Sequence, residues 1–157
     1  KESFVECRIN RNIGGDMAEV WYTHCLREYP FPEFLGEKFL GEDIVWVQMS
    51  KKYKMRFFNK VIYISDYLDE GLTNNRRKHN ISSPNGCVAR AKTFLESDSI
   101  LKAKIKAALQ YQIYGRFAAH SLKKLFENTS SKLLYILCFI PSQVLYYKWK
   151  NKYQENI

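Results

Sequence analysis

The sequence predicts an α/β protein in which a sheet layer occupies residues 1–97 and a helical region occupies residues 98–157. Three observations predict it. Runs rich in β-branched and aromatic residues, at 17–22, 55–58 and 61–64, alternate with helical patterns. Residues 98–157 read as helix almost throughout. The charge changes at the same boundary: residues 1–97 hold 15 Lys+Arg against 13 Asp+Glu, whereas residues 98–157 hold 10 against 3. The net charge of +9 therefore belongs mainly to the tail, which suits a polyanionic partner for that part, either anionic lipid or nucleic acid.

Taken in order, residues 1–12 read as a strand or its approach, because Phe4-Val5-Glu6-Cys7-Arg8-Ile9 mixes apolar and polar at short period. Gly14-Gly15-Asp16 marks a tight turn, where glycine takes positive φ without steric penalty. A short strand is predicted over 17–22 and a short helix from Thr23 to about Tyr29, stopped by Pro30-Phe31-Pro32. Glu42-Asp43 opens an amphipathic helix running to about Tyr53, with Ile44, Val45, Val47 and Met49 as its apolar positions. Residues 55–58 and 61–64 are a hairpin or one long strand with a bulge. Residues 65–84 form a long irregular loop, of the kind that is usually functional or disordered. Ser83-Pro84 then starts a helix to about Glu96. A long helix begins near Asp98 or Ser99, a shorter one covers about 118–127, and an apolar run over 133–140 stops at Pro141.

The 157 residues suffice for one domain with a real core. At 46% hydrophobic and 15% aromatic, the composition is not that of a disordered chain. Cys7, Cys25, Cys87 and Cys138 are widely spaced, which excludes a zinc site by motif and a dense disulfide framework. Reduced, buried thiols are expected. There is no run of about 18 apolar residues, so a conventional membrane span is not expected. The first residue is Lys rather than Met, which fits a piece of a longer polypeptide.

The chemistry centres on Glu42 and Asp43. A carboxylate in a first helical turn is stabilised by unpaired backbone N–H groups and the helix dipole. At the edge of a cleft it can take a proton from a substrate hydroxyl. An acidic pair that merely stabilises a helix is the plainer alternative. By themselves Arg76-Arg77-Lys78 read as a solvated turn, His79 as a lone surface histidine and Asp66 as the cap of a strand end.

The order of these pieces adds information. Gly14-Gly15-Asp16 and a strand are followed by Pro-Phe-Pro, by Gly36-Glu37-Lys38-Phe39, by Glu42-Asp43 opening a helix, by Tyr63-Ile64-Ser65-Asp66-Tyr67, and by Gly71-Leu72-Thr73 with Arg76-Arg77. Over most of residues 14–95 the chain resembles the C-terminal half of family-2 glycosyltransferases of the GT-A (nucleotide-diphospho-sugar transferase) fold, particularly bacterial ones acting on cell-surface polysaccharide. The resemblance implies an inverting enzyme that moves a sugar from a nucleotide-diphosphate sugar to an acceptor hydroxyl on a glycan or lipid-linked saccharide. It implies Asp43 as the base, with Glu42 shaping the acceptor site. It places Gly14, Gly15 and Asp16 near donor or acceptor, and Arg76, Arg77 and Lys78 over the diphosphate, where guanidinium groups pair with phosphate oxygens. It also allows Asp66 to contact the acceptor and His79 to assist a metal.

The family's Asp-x-Asp, which holds a divalent metal (Mg or Mn) and the nucleotide, is absent. Residues 1–97 are therefore expected to be the acceptor and catalytic-base half of a catalytic domain, inactive without the N-terminal half and with no metal of its own. Residues 98–157 are expected to be a basic amphipathic tail, with peripheral contact at the inner face of the cell membrane and an otherwise cytoplasmic location. The competing class is a non-enzymatic basic helical module that binds an anionic membrane, nucleic acid or a partner protein. Against nucleic acid, residues 1–97 are almost neutral and no helix-turn-helix, RRM or KH signature occurs.

Overall fold

A computed structural model describes residues 1–15, 17–64, 66 and 75–154. A single turn of π-helix at Val5–Asn10 comes first. It is followed by α1 (Thr23–Arg27), α2 (Asp43–Met49), α3 (Arg76–Ser82), α4 (Pro84–Leu95), α5 (Leu101–Phe117), α6 (Leu122–Asn128), α7 (Lys132–Leu137) and α8 (Phe139–Gln154).

The expected α/β class, and with it the partial GT-A sheet, is corrected here: the described residues are helical and contain no strand or sheet. Residues 17–22 and 56–64 have β-type composition but take no regular structure. Strand propensity becomes a strand only through lateral pairing. Here the pairing is limited to one antiparallel bridge, in which Glu2 and Met55 exchange backbone hydrogen bonds of 3.2 and 2.8 Å. Along 17–22 half-buried Met17, Glu19 and Trp21 alternate with exposed Ala18, Val20 and Tyr22, so the two-residue period survives without a partner strand.

The strand expected near residue 4 is instead the π-helix. The Ser3 hydroxyl accepts the Glu6 N–H (3.1 Å), and the Arg11 N–H reaches back five residues to the Glu6 carbonyl (3.0 Å). Asn10 ties this turn to the start of α5. Its side chain donates to the Asp98 carbonyl (3.1 Å) and accepts the Ile100 N–H (2.8 Å).

The antiparallel pair α4–α5 is the hub. Phe94, Leu95, Ala107, Ala108 and Tyr111 form the centre of the main core, joined by Phe4, Val5 and Val47 from the front of the chain and by Leu125 and Tyr135 from the back. This core draws on both sides of residue 97. Ile44, Val45 and Met49 of α2 form a second cluster with Cys25, against which Trp21 and Trp46 pack. Ile81, Cys87 and Tyr114 form a third, backed by Trp149 of α8.

Gly115 lets α6 approach α5 closely: a Cβ there would stand 2.6 Å from the methyls of buried Leu125. Pro141 lies inside α8 rather than ending the helix; α7 breaks just before it, at Cys138. The physical reason is local. Pro141 has no N–H to give the Leu137 carbonyl, but Ser142 resumes the ladder at once by donating to the Cys138 carbonyl (3.0 Å). Fully buried Gln112 on α5 donates to the Tyr135 carbonyl (3.0 Å) and accepts from the Ser142 hydroxyl (3.1 Å). No helix among the described residues is long and apolar enough to cross a membrane.

Candidate functional site: a cationic pocket beside Asp43

The N-terminus of α4 organises the site. Pro84 sits in its first turn, as predicted from Ser83-Pro84. The cap, however, comes from elsewhere in the sequence. The Glu37 carboxylate accepts the N–H groups of Asn85 (2.7 Å) and Gly86 (2.8 Å) and the Asn85 side-chain amide (2.8 Å). A carboxylate suits the positive end of a helix. The Ser83 hydroxyl, freed from capping, accepts from the Lys38 and Phe39 N–H groups at 3.3 and 3.1 Å. Together these bonds fix the course of residues 37–41 across the start of α4.

That course sets Asp43, in the first turn of α2, against Arg90 in the middle of α4. Arg90 Nε donates to Asp43 Oδ1 and a terminal guanidinium nitrogen donates to Oδ2, both at 2.5 Å. Two parallel bonds of this kind fix orientation as well as charge. Gly41 makes room: a Cβ there would stand 3.1 Å from Asp43 Oδ1 and 3.2 Å from Arg90 Nε. The Arg90 guanidinium also lies over the Phe94 ring, 4.7 Å from its centre. Burial is the largest single influence and opposes the charge on Arg90. The hydrogen bonds to Asp43 and the negative charge of its carboxylate, with smaller contributions from Cys87 and Tyr114, together outweigh burial, and the Arg90 pKa is raised. The Asp43 side chain keeps 24% of its surface open to solvent.

Beside this pair is a pocket of about 260 Å³ whose lining includes Arg76, Arg77, Arg90 and Lys106, with Asn80 and Tyr114. Among the described residues its lining contains no acidic side chain. The Arg77 guanidinium lies over the Trp149 ring, 3.8 Å from its centre. The Asn80 amide donates to the Tyr114 hydroxyl (3.2 Å). Burial pushes the Tyr114 phenol up, with Arg77 and Arg90 among the opposing influences. Burial also pushes the Cys87 thiol up to about 12, against the pull of Arg90. Four cations around so small a volume suit one or two phosphate groups.

The sequence-derived candidates are distributed as follows. Arg76 and Arg77 line the pocket, and Asp43 stands outside its lining, bonded to the lining residue Arg90. Glu42 is exposed at the N-cap of α2 and makes no capping bond. Its charge is felt instead at Glu19, whose carboxyl is pushed up by burial first and by Glu42 in addition. Gly14 lines a separate, larger groove with Glu19, Trp21 and Tyr22 on one side and residues of 53–64 on the other. Gly15 takes φ +96°, and its carbonyl accepts from Arg8 (2.9 Å). Asp66 is exposed. Asp16, Ser65 and residues 67–74 lie outside the described residues, so the expected loop is seen only from Asn75 onward, where Arg76–Ser82 is helix. His79 stands 6.0 Å from the Phe39 ring, centre to centre.

The pocket residues that sequence reasoning missed are Arg90, Lys106 and Tyr114. All three fall within predicted helices, and nothing local distinguishes them. The divalent metal implied by the resemblance finds no donors here. The described residues gather no group of three His, Cys, Asp or Glu, and the pocket beside Asp43 is lined by cations.

Compared with known proteins, the chain matches no protein-family model, no curated protein and no solved structure.

Proposed function

We propose that this chain supplies the acceptor side of an inverting glycosyltransferase, acting on a nucleotide-diphosphate sugar and an acceptor hydroxyl in cell-surface polysaccharide synthesis. The observation that carries the proposal is the placing of Asp43 beside the pocket that holds Arg76 and Arg77. A one-step transfer needs those two features next to each other. The acceptor oxygen attacks the anomeric carbon while the bond from that carbon to the diphosphate breaks. The electron pair leaves with the nucleoside diphosphate, and the proton passes to Asp43. Arg90 orients the carboxylate. Arg76 and Arg77 offset the charge that develops on the leaving phosphate.

The nucleotide base, the donor sugar and a divalent metal belong to residues outside this chain, and the chain alone is inactive. In that role it lies in the cytoplasm, at the inner face of the membrane when the acceptor is lipid-linked.

A second proposal is a non-catalytic module that binds a phosphorylated ligand. It is favoured by the pairing of both Asp43 oxygens with Arg90, which a free base would not need.

The test is transfer by the full polypeptide from a panel of nucleotide-diphosphate sugars. Asp43→Asn abolishes turnover while nucleotide-sugar binding largely persists. Turnover close to normal in that variant removes Asp43 from the role of base, whereas no transfer by the unaltered polypeptide from any sugar of the panel leaves the binding module standing.

A further inference from the structure

The last two helices are apolar on the face that looks to solvent. Leu133, Ile136, Leu137, Ile140, Val144 and Tyr147 are each more than half exposed. Their spacing by three and four residues lays them along one line down α7 and α8. The opposite line is Tyr135, Cys138, Ser142 and Tyr146, all buried. These helices are therefore already seated on the protein by one face, and the exposed line is additional apolar surface.

The charges on these helices are of one sign. Lys132, Lys148, Lys150 and Lys152 are present, and the described residues of α7 and α8 include no Asp or Glu. At about 100° per residue, Lys148 falls on one flank of the apolar line and Lys150 on the other. Lys132 is occupied at the end of α6, where it donates to the Phe126 and Glu127 carbonyls.

We propose that α7 and α8 lie in the surface of an anionic bilayer. The apolar line enters the boundary between headgroups and acyl chains, and Lys148 and Lys150 reach the lipid phosphates. Lying in the surface is the mode left to helices too short or too polar to span. Charge decides against a second copy of the chain. Pairing through this line would bring Lys148 and Lys150 of two copies together with no carboxylate on the described residues of α7 and α8 to answer them, whereas an anionic leaflet answers both. The inference does not depend on the transferase proposal.

The experiment is flotation of the full chain with phosphatidylcholine vesicles containing a minor share of phosphatidylglycerol, and with phosphatidylcholine alone, at low and high salt. The protein floats with the anionic vesicles at low salt. Loss of the lipid charge or addition of salt weakens binding by about fivefold per engaged lysine. Ile136→Glu and Ile140→Glu, two separate exposed positions, each weaken binding about tenfold or more, with far-UV circular dichroism unchanged. Absence of binding to anionic vesicles at low salt overturns the proposal, as does undiminished flotation of both folded variants. A dimer that Ile136→Glu dissolves, in a protein that ignores vesicles, overturns it in favour of self-association. None of these outcomes alters the expectation for Asp43.

Discussion

Glu37 shows how one side chain sets the position of a site it does not touch. Its carboxylate holds two backbone N–H groups and one amide at the start of α4, and the strand of chain leading to Asp43 is fixed as a result. Glu37→Ala should therefore cost about 1–2 kcal/mol in urea unfolding, and Glu37→Gln less, because one acceptor oxygen remains. Cys87, nearby, gives a pH signature. Its ordinary pKa of 9.0 rises to about 12 in the fold, through burial. A group whose folded pKa is the higher one lends its full stability below the unfolded value and loses it as pH rises through the folded value. Comparing Cys87→Ala with the parent protein between pH 9 and 12 isolates this effect: the parent loses stability more steeply than the variant. At this scale the sequence was partly legible. Asp43 stood out because it opens an apolar-periodic helix. Glu37 and Arg90 did not, because their partners lie 47 to 49 residues away in the chain.

Among the elements, local chemistry decided what could be read. Ser83-Pro84 announced α4, and Thr23 with Pro30 bracketed α1. The π-helix was missed although Ser3 provides a capping hydroxyl three residues before the Glu6 N–H. The short apolar-polar mixture over residues 4–9 carries a strand-like period of its own. Residues 17–22 and 56–64 were misread for a different reason. Their composition is right for strands, but a strand is a property of two segments, and neither finds its second here. Helix-to-helix spacing carries a prediction of its own. Gly115→Ala would drive a methyl into Leu125 at 2.6 Å, and α6 cannot yield without disturbing the main core. Unfolding by urea should show a loss of about 1–3 kcal/mol.

In the whole molecule, helices replace the expected sheet, and the main core spans the boundary that composition suggested at residue 97. The charge asymmetry was real in the sequence, yet it did not mark a structural seam. α5, which carries Lys102, Lys104 and Lys106, is also the helix on which the rest is built. The pocket was half legible: Arg76 and Arg77 could be nominated from their run of charge, while Lys106 and Tyr114 enter only once α5 has packed against α4. Gln112 then has a consequence for the assembled bundle. Its amide is matched to one carbonyl on α7 and one hydroxyl on α8. If α7 and α8 slipped by a single helical turn along α5, apolar contacts could be replaced by others, but this amide would be stranded in a dry interior. One uncharged side chain thus acts as the key that admits only one alignment of the three helices.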